Sequence, residues 1–173
     1  MSKQHLMKLN KLAAEGDQNA QIELAQRLAT GDGVEKDVDR AFDWYSKAAA
    51  SGSPDAAYHL GLMYVFGEGV AANCQRAVEL FQYAARLGSD DAHFILADAY
   101  VEGKLGLPID VLAGTKHYLD ACQCGGAIRS IPSIGGLVRD GRLEAGALIA
   151  LMCQYGSSPL SCGPDSGPAF PVQ

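Results

Sequence analysis

Along this chain, apolar and small residues return at a fixed step. Ala20, Leu24, Ala25 and Leu28 stand at the spacing of one helical face, and 36 residues on the face reappears as Ala56, Leu60, Gly61 and Tyr64, then as Ala92, Leu96, Ala97 and Tyr100. Gly16, Gly52 and Gly88 keep the same step, as do Gly31, Gly67 and Gly103. A second face follows in each unit, with Ala41, Tyr45 and Ala48 answered by Ala77, Phe81 and Ala84. After Gly103 the step becomes 37, because GKLG carries one residue more than GDG or GEG, and Gly114, Tyr118, Ala121 and Gly125 then fall into place. Each unit therefore predicts two helices, and the signals for their ends recur at the same period. Asp17, Ser53 and Ser89 precede the first helix, where a short oxygen side chain accepts hydrogen bonds from backbone N–H groups that have no partner within the helix. Pro54 follows at a position that a helix start tolerates. Gly31, Gly67 and Gly103 end this helix, and Asp37, Asn73 and Asp110 cap the second one.

The edges follow the same logic. LMKLNKLAAEG at 6–16 repeats the end of a second helix, Leu6 answering Phe42 and Leu9 answering Tyr45, which predicts a lone capping helix over 2–14. Repeats over 17–52, 53–88 and 89–125 follow, and a degenerate one over 127–155 closes an array that occupies 1–155. In that last unit SIGGLVRDG at 133–141 is a worn first helix, and Pro132 and the missing cap predict an irregular start. Arg142 to Tyr155 reads as a closing second helix whose run ALIALMC is apolar nearly all round and so needs cover on more than one side. The tail folding back is the first expectation for that cover, with a homodimer contact or a partner as alternatives. Residues 156–173, rich in Pro, Gly and Ser, predict an irregular tail. Helix pairs that bury their apolar faces only against neighbours give an all-α fold, a right-handed α-solenoid of antiparallel pairs with a concave surface lined by the first helices. Trp44, the only tryptophan, falls in the second helix of repeat one and is expected in the core.

The units resemble Sel-one-like repeats, relatives of the tetratricopeptide repeat, whose pattern runs A-x3-LG-x2-Y-x2-G-x-GV and then D-x2-KA-x2-WY-x-KAA-x-G. AQIELAQRLATGDGV, AAYHLGLMYVFGEGV and AHFILADAYVEGKLG supply the first half, and DVDRAFDWYSKAAASG, NCQRAVELFQYAARLG and DVLAGTKHYLDACQCG the second. Repeat three departs from the pattern, with Gly114 in the alanine slot and His117 where tryptophan is usual, so its second helix is expected to be the least stable of the three. The resemblance implies a non-enzymatic adaptor or scaffold that binds a partner polypeptide. An immunity or inhibitor protein that blocks a toxin or enzyme is the alternative. Secreted relatives discussed as binders or hydrolases of penicillin-like compounds carry a cysteine pair in each repeat; this chain has none, and that activity is not carried over.

Similarity to tetratricopeptide arrays also says where the partner should lie. The inward positions are Ile22, Gln26, Ala29 and Thr30 in repeat one, Tyr58, Leu62, Val65 and Phe66 in repeat two, and Phe94, Asp98, Val101 and Glu102 in repeat three. Of these, Ile22, Gln26, Tyr58, Leu62, Phe66, Phe94, Asp98 and Glu102 are the candidate partner-binding residues. They form an apolar row with carboxylates at one end, suited to a segment that carries basic beside apolar residues. The bland alternative is that Tyr58 and Phe94 complete the core.

Composition narrows the remaining classes. At 173 residues and 48% hydrophobic the chain has material for a real core, and disorder is excluded as its overall state. A net charge of -6 with scattered Lys and Arg argues against a nucleic-acid partner. No run of some 18 apolar residues occurs, and the start MSKQHLMKLNK lacks the apolar stretch of a signal peptide, so neither membrane nor export is expected. Five cysteines, at 74, 122, 124, 153 and 162, show no repeated spacing and argue for a reducing cytoplasm. Cys122 and Cys124 with Cys153 make a weak metal set, since structural zinc wants four well-placed ligands; the plainer reading buries Cys122 and Cys153 as small apolar residues. The histidines, at 5, 59, 93 and 117, fall on different elements and none pairs with a nearby Cys, Ser or Asp at a catalytic spacing. GDGV, GEGV and GKLG are helix-ending turns, and Asp90 and Asp91 are helix-start residues rather than an acid and base pair. No cofactor, metal or enzymatic activity is expected.

Overall fold

The computed structural model describes residues 3–123 and 127–156. Among these residues the chain is all-α, with no strand: α1 Lys3–Ala14, α2 Gln18–Thr30, α3 Val38–Ala50, α4 Pro54–Phe66, α5 Cys74–Arg86, α6 Asp90–Glu102, α7 Val111–Ala121, α8 Ala127–Arg139 and α9 Ala145–Gly156. The build is that of an α-solenoid, one helical hairpin repeated.

The same few backbone bonds define every hairpin. The Asp17 carboxylate accepts from the Ala20 N–H at 2.8 Å, and the Ser53 and Ser89 hydroxyls accept from the Ala56 and Ala92 N–H groups at 3.2 Å. At the second helices Asp37 accepts from Arg40 at 3.0 Å, Asn73 from Arg76 at 3.0 Å and Asp110 from Ala113 at 2.9 Å. Each such cap is worth about 1 kcal/mol. Gly31, Gly67 and Gly103 close the first helices in the left-handed region, at φ of 81°, 71° and 69°, where a side chain is strained. Beyond them the Asp37 N–H donates to the Leu28 carbonyl at 2.8 Å and the Asn73 N–H to the Tyr64 carbonyl at 2.9 Å. The Asp110 N–H reaches the Tyr100 carbonyl at 2.8 Å across one residue more, and Leu105, at φ 56°, and Gly106, at φ 76°, take up the extra length.

The chain forms two compact units, one up to Tyr83 and one from Ala84, the boundary falling within α5. In the first, α1 packs on α2, α2 on α3 and α3 on α4. Leu9, Ala13, Leu24, Leu28, Tyr45, Ala48, Leu60, Leu80 and Phe81 are buried there. Gly61 is small because Phe81 lies over it: a Cβ would stand 2.6 Å from the ring. In the second unit α6 packs on α7 and α7 on α8, around Ala97, Val101, Tyr118, Ile134, Leu137 and Leu143. Gly114 lets α7 approach α6 closely, since a Cβ would meet Val101 Cγ2 at 2.6 Å and the Ala97 carbonyl oxygen at 2.9 Å. The glycine that weakens α7 as a helix is therefore what its packing requires.

Three expectations need correction. Trp44 is only half-buried; Tyr45, one residue on, takes the inner side, because neighbouring residues on a helix point about 100° apart. Lys47 Nζ lies 4.3 Å from the Trp44 ring centroid, a cation–π contact at the surface. Pro132 does not mark an irregular start but sits inside α8, on its exposed side, where water can solvate the carbonyl that its missing N–H leaves open. Cys153 is exposed on α9, and Cys122, just past the end of α7, is half-buried. On α9, Leu151 is buried while Ile149 and Met152 are 62% and 56% exposed. The tail expected to cover them lies outside the described residues, as does Cys124.

Candidate functional site

Helix α4 carries one charged residue, Asp55, and apolar side chains on more than one side. Ala56, Ala57, Leu60, Gly61 and Met63 are buried. Tyr58, Leu62 and Val65 are half-buried, and Phe66 is 70% exposed. Tyr58 is held by rings: it meets His59 edge-on at 5.3 Å and Phe81 at 5.9 Å. His59 in turn stacks on Tyr45 at 5.1 Å and lies 3.5 Å from the Gln26 amide nitrogen, through its Nε2, so α2 and α4 meet at this point. Burial pushes the Tyr45 hydroxyl well above its ordinary pKa, and it stays protonated. Ile22 is half-buried on α2, and Gln26 is exposed. The first unit thus places Ile22, Gln26, Tyr58, Leu62 and Phe66 on two helices in contact, with Leu62 and Phe66 the accessible apolar pair.

The second unit treats its candidates differently. The Phe94 ring meets Tyr118 edge-on at 5.3 Å and packs against the core of that unit. The Tyr118 hydroxyl donates to the Asp98 carboxylate, and burial together with this bond raises the hydroxyl's pKa. Glu102 is exposed and ion-paired with Lys104. Val101, expected on the free face, is buried at 4% exposure. The closing segment explains this: Ile134, Leu137 and Leu143 pack around Val101, and Arg142 donates to its carbonyl.

The structure also joins residues that sequence spacing kept apart. His93 on α6 and His117 on α7 face each other with 3.1 Å between their Nδ1 atoms, a pairing across two elements that the histidines' places in the sequence did not show. Their separation of 24 positions is closed by the packing of α6 on α7. Asp120, one turn after His117, brings Oδ2 to 3.9 Å from His93 Nδ1. His117 stacks on Tyr100 at 5.7 Å with the rings 9° from parallel, and His93 is hydrogen-bonded to the Ala85 backbone. Burial, and then the nearby His93, hold His117 down to about 4; burial also lowers His93, against the raising effect of Asp120. The signal that was available is the odd occupant of the tryptophan slot, His117, with a carboxylate three positions later on the same helical face.

Comparison with known proteins agrees with this architecture. The family model described as the Sel1 repeat matches residues 18–53, 54–89 and 90–126. A protective antigen present in uropathogenic Escherichia coli strains, which displays an SLR fold, is similar over 77% of this chain with 33% identity and a TM-score of 0.70. That likeness covers 28% of the antigen, so the present chain spans little more than a quarter of its length. A Sel1 repeat protein from Oxalobacter formigenes is similar over 70% of this chain and 90% of its own, with 36% identity and a TM-score of 0.61. No curated protein matches the chain.

Proposed function

Because this chain belongs to the Sel1 repeat family, whose members generally mediate protein–protein interaction on a typically non-enzymatic scaffold, we propose that it is an adaptor that holds a partner polypeptide through α2 and α4. The observation that supports this reading is the surplus of apolar side chains on α4. Once Ala56, Leu60, Gly61 and Met63 are buried, a full helical stripe is satisfied, and Leu62 and Phe66 remain accessible to a partner. Tyr58, locked between His59 and Phe81, offers a rigid ring edge beside them. Ile22 and Gln26 extend the surface onto α2. Phe94, Asp98 and Glu102 rank lower, since Tyr118 and Lys104 already engage them. The partner segment is apolar at its centre, and the adaptor acts in the cytoplasm, where its unpatterned cysteines stay reduced. No helix among the described residues is long and apolar enough to cross a membrane.

The test is a side-by-side capture from native lysate with wild type and the double variant Leu62→Ser/Phe66→Ser, the first position half-buried and the second exposed. Burying a phenylalanine-sized anchor contributes about 1.5–3 kcal/mol, or roughly 10- to 100-fold in Kd, so partners held here should be lost from the folded variant. Equal capture by both would refute the assignment of this face.

A further inference from the structure

We propose that His93, His117 and Asp120 form a binding site for a divalent transition-metal ion, zinc by the nature of the donors. One ligand atom from each residue lies within 4.8 Å of the others, the one such group of three histidine, cysteine or carboxylate side chains among the described residues. Two nitrogens bound to one tetrahedral zinc at about 2.0–2.1 Å stand roughly 3.3 Å apart. The two Nδ1 atoms stand at 3.1 Å, so the pair needs little movement to share an ion. Asp120 Oδ2, 3.9 Å from His93 Nδ1, is beyond hydrogen-bond reach of that nitrogen yet near enough to join it on a common centre. A hydrogen bond between two neutral imidazoles accounts for the short contact alone; a shared ion accounts for the carboxylate beside it as well.

The surroundings are those a metal ligand needs. His93 donates to the Ala85 carbonyl, and with Nδ1 turned toward His117 that proton sits on the other ring nitrogen, which leaves the Nδ1 lone pair facing the centre. Tyr100 fixes the plane of the His117 ring. Both imidazoles are buried enough to stay neutral, the form that ligates. Asp120, with 36% of its side chain exposed, opens the site to solvent, so a fourth position is accessible to water or to a side chain of another molecule. The fold does not require this set. The corresponding slots of repeat two hold Ala57, Leu80 and Tyr83, and those of repeat one Gln21, Trp44 and Lys47. Imidazole with carboxylate and no thiolate suits zinc, with nickel and copper as competitors.

The full-length protein, stripped with a chelator, is titrated with zinc by calorimetry and with cobalt(II) by visible absorption. One zinc per chain is expected, with a Tm raised by several degrees at saturation and cobalt d–d bands without thiolate charge transfer. His93→Ala and His117→Leu import the residues of repeat two, and their helicity is checked by circular dichroism. Each should weaken zinc binding by at least about 100-fold, beyond the loss typical of an outer partner, and Asp120→Asn by about 10-fold. Failure of wild type to take up zinc at about 1 mM overturns the proposal. So does uptake that survives both histidine substitutions, or a thiolate charge-transfer band, which would place the ion on cysteine. The cobalt spectrum of wild type decides even if one variant fails to fold.

Discussion

Repeats two and three use equivalent positions for opposite ends. Where repeat two has Ala57, Leu80 and Tyr83, with the first two at most 1% exposed, repeat three has His93, His117 and Asp120. The alanine contact that spaces each pair of helices also moves. In repeat two the second helix keeps Ala77 and the first gives way at Gly61, under the Phe81 ring; in repeat three the first helix keeps Ala97 and the second gives way at Gly114. The lesson is that the hairpin is fixed by few side chains: the caps, the closing glycine, the leucine at 60 or 96 and the ring at 81 or 118. Flanking slots are released from the fold and can be given other chemistry.

The comparison breaks most sharply at Phe81, which is fully buried. Phe81→Ala is expected to cost about 3–5 kcal/mol in a urea melt, through lost burial and the cavity left against Gly61. A change below about 1 kcal/mol would mean that the ring slot does not define the hairpin.

Acid sharpens it next. The folded state holds His117 down to about 4 against an ordinary 6.5, so it favours the neutral imidazole. The unfolded chain takes up the proton first as pH falls, so this stability is complete above about 6.5, declines toward pH 4 and is gone below it. The loss reaches up to about 3 kcal/mol. Measured with chelator present, wild type should lose Tm faster than His117→Leu across this window; parallel curves would show that the histidine pair is not held neutral by burial.

The smallest effect carries the clearest sign. An alanine in place of a helical glycine ordinarily stabilises by up to about 1 kcal/mol. Gly114→Ala should instead destabilise by about 1–3 kcal/mol, because the new methyl meets the Ala97 carbonyl, which cannot turn aside as a side chain can. A stabilised variant would remove the close approach of α6 and α7 from the account.

What could be read in the sequence was what acts locally. Asp17, Ser53, Ser89, Asp37, Asn73 and Asp110 each bond a backbone N–H three residues on, so their roles follow from position alone. The buried stripes at Leu24, Leu60 and Leu96 follow from helical spacing in the same way. Trp44 was misplaced because Ala41, Tyr45 and Ala48 already fill the inner face of α3, and a side chain one position from Tyr45 points about 100° away from it. Val101 was misplaced because its cover comes from Ile134, Leu137 and Leu143, in a unit whose sequence has drifted furthest from the pattern. The histidine pair was hidden for a related reason: a contact between residues on two helices depends on how they pack, and no spacing rule within one helix records it.

The loop from Gly103 to Asp110 carries a last consequence. One residue added inside a helix would turn every later side chain by about 100° and exchange its inner and outer faces. Added here, it leaves the Asp110 to Tyr100 bond intact and α7 in phase with the helices before it. The array thus keeps its reading frame in the helices and its punctuation in the loops, and this connection has taken in one residue without loss of phase.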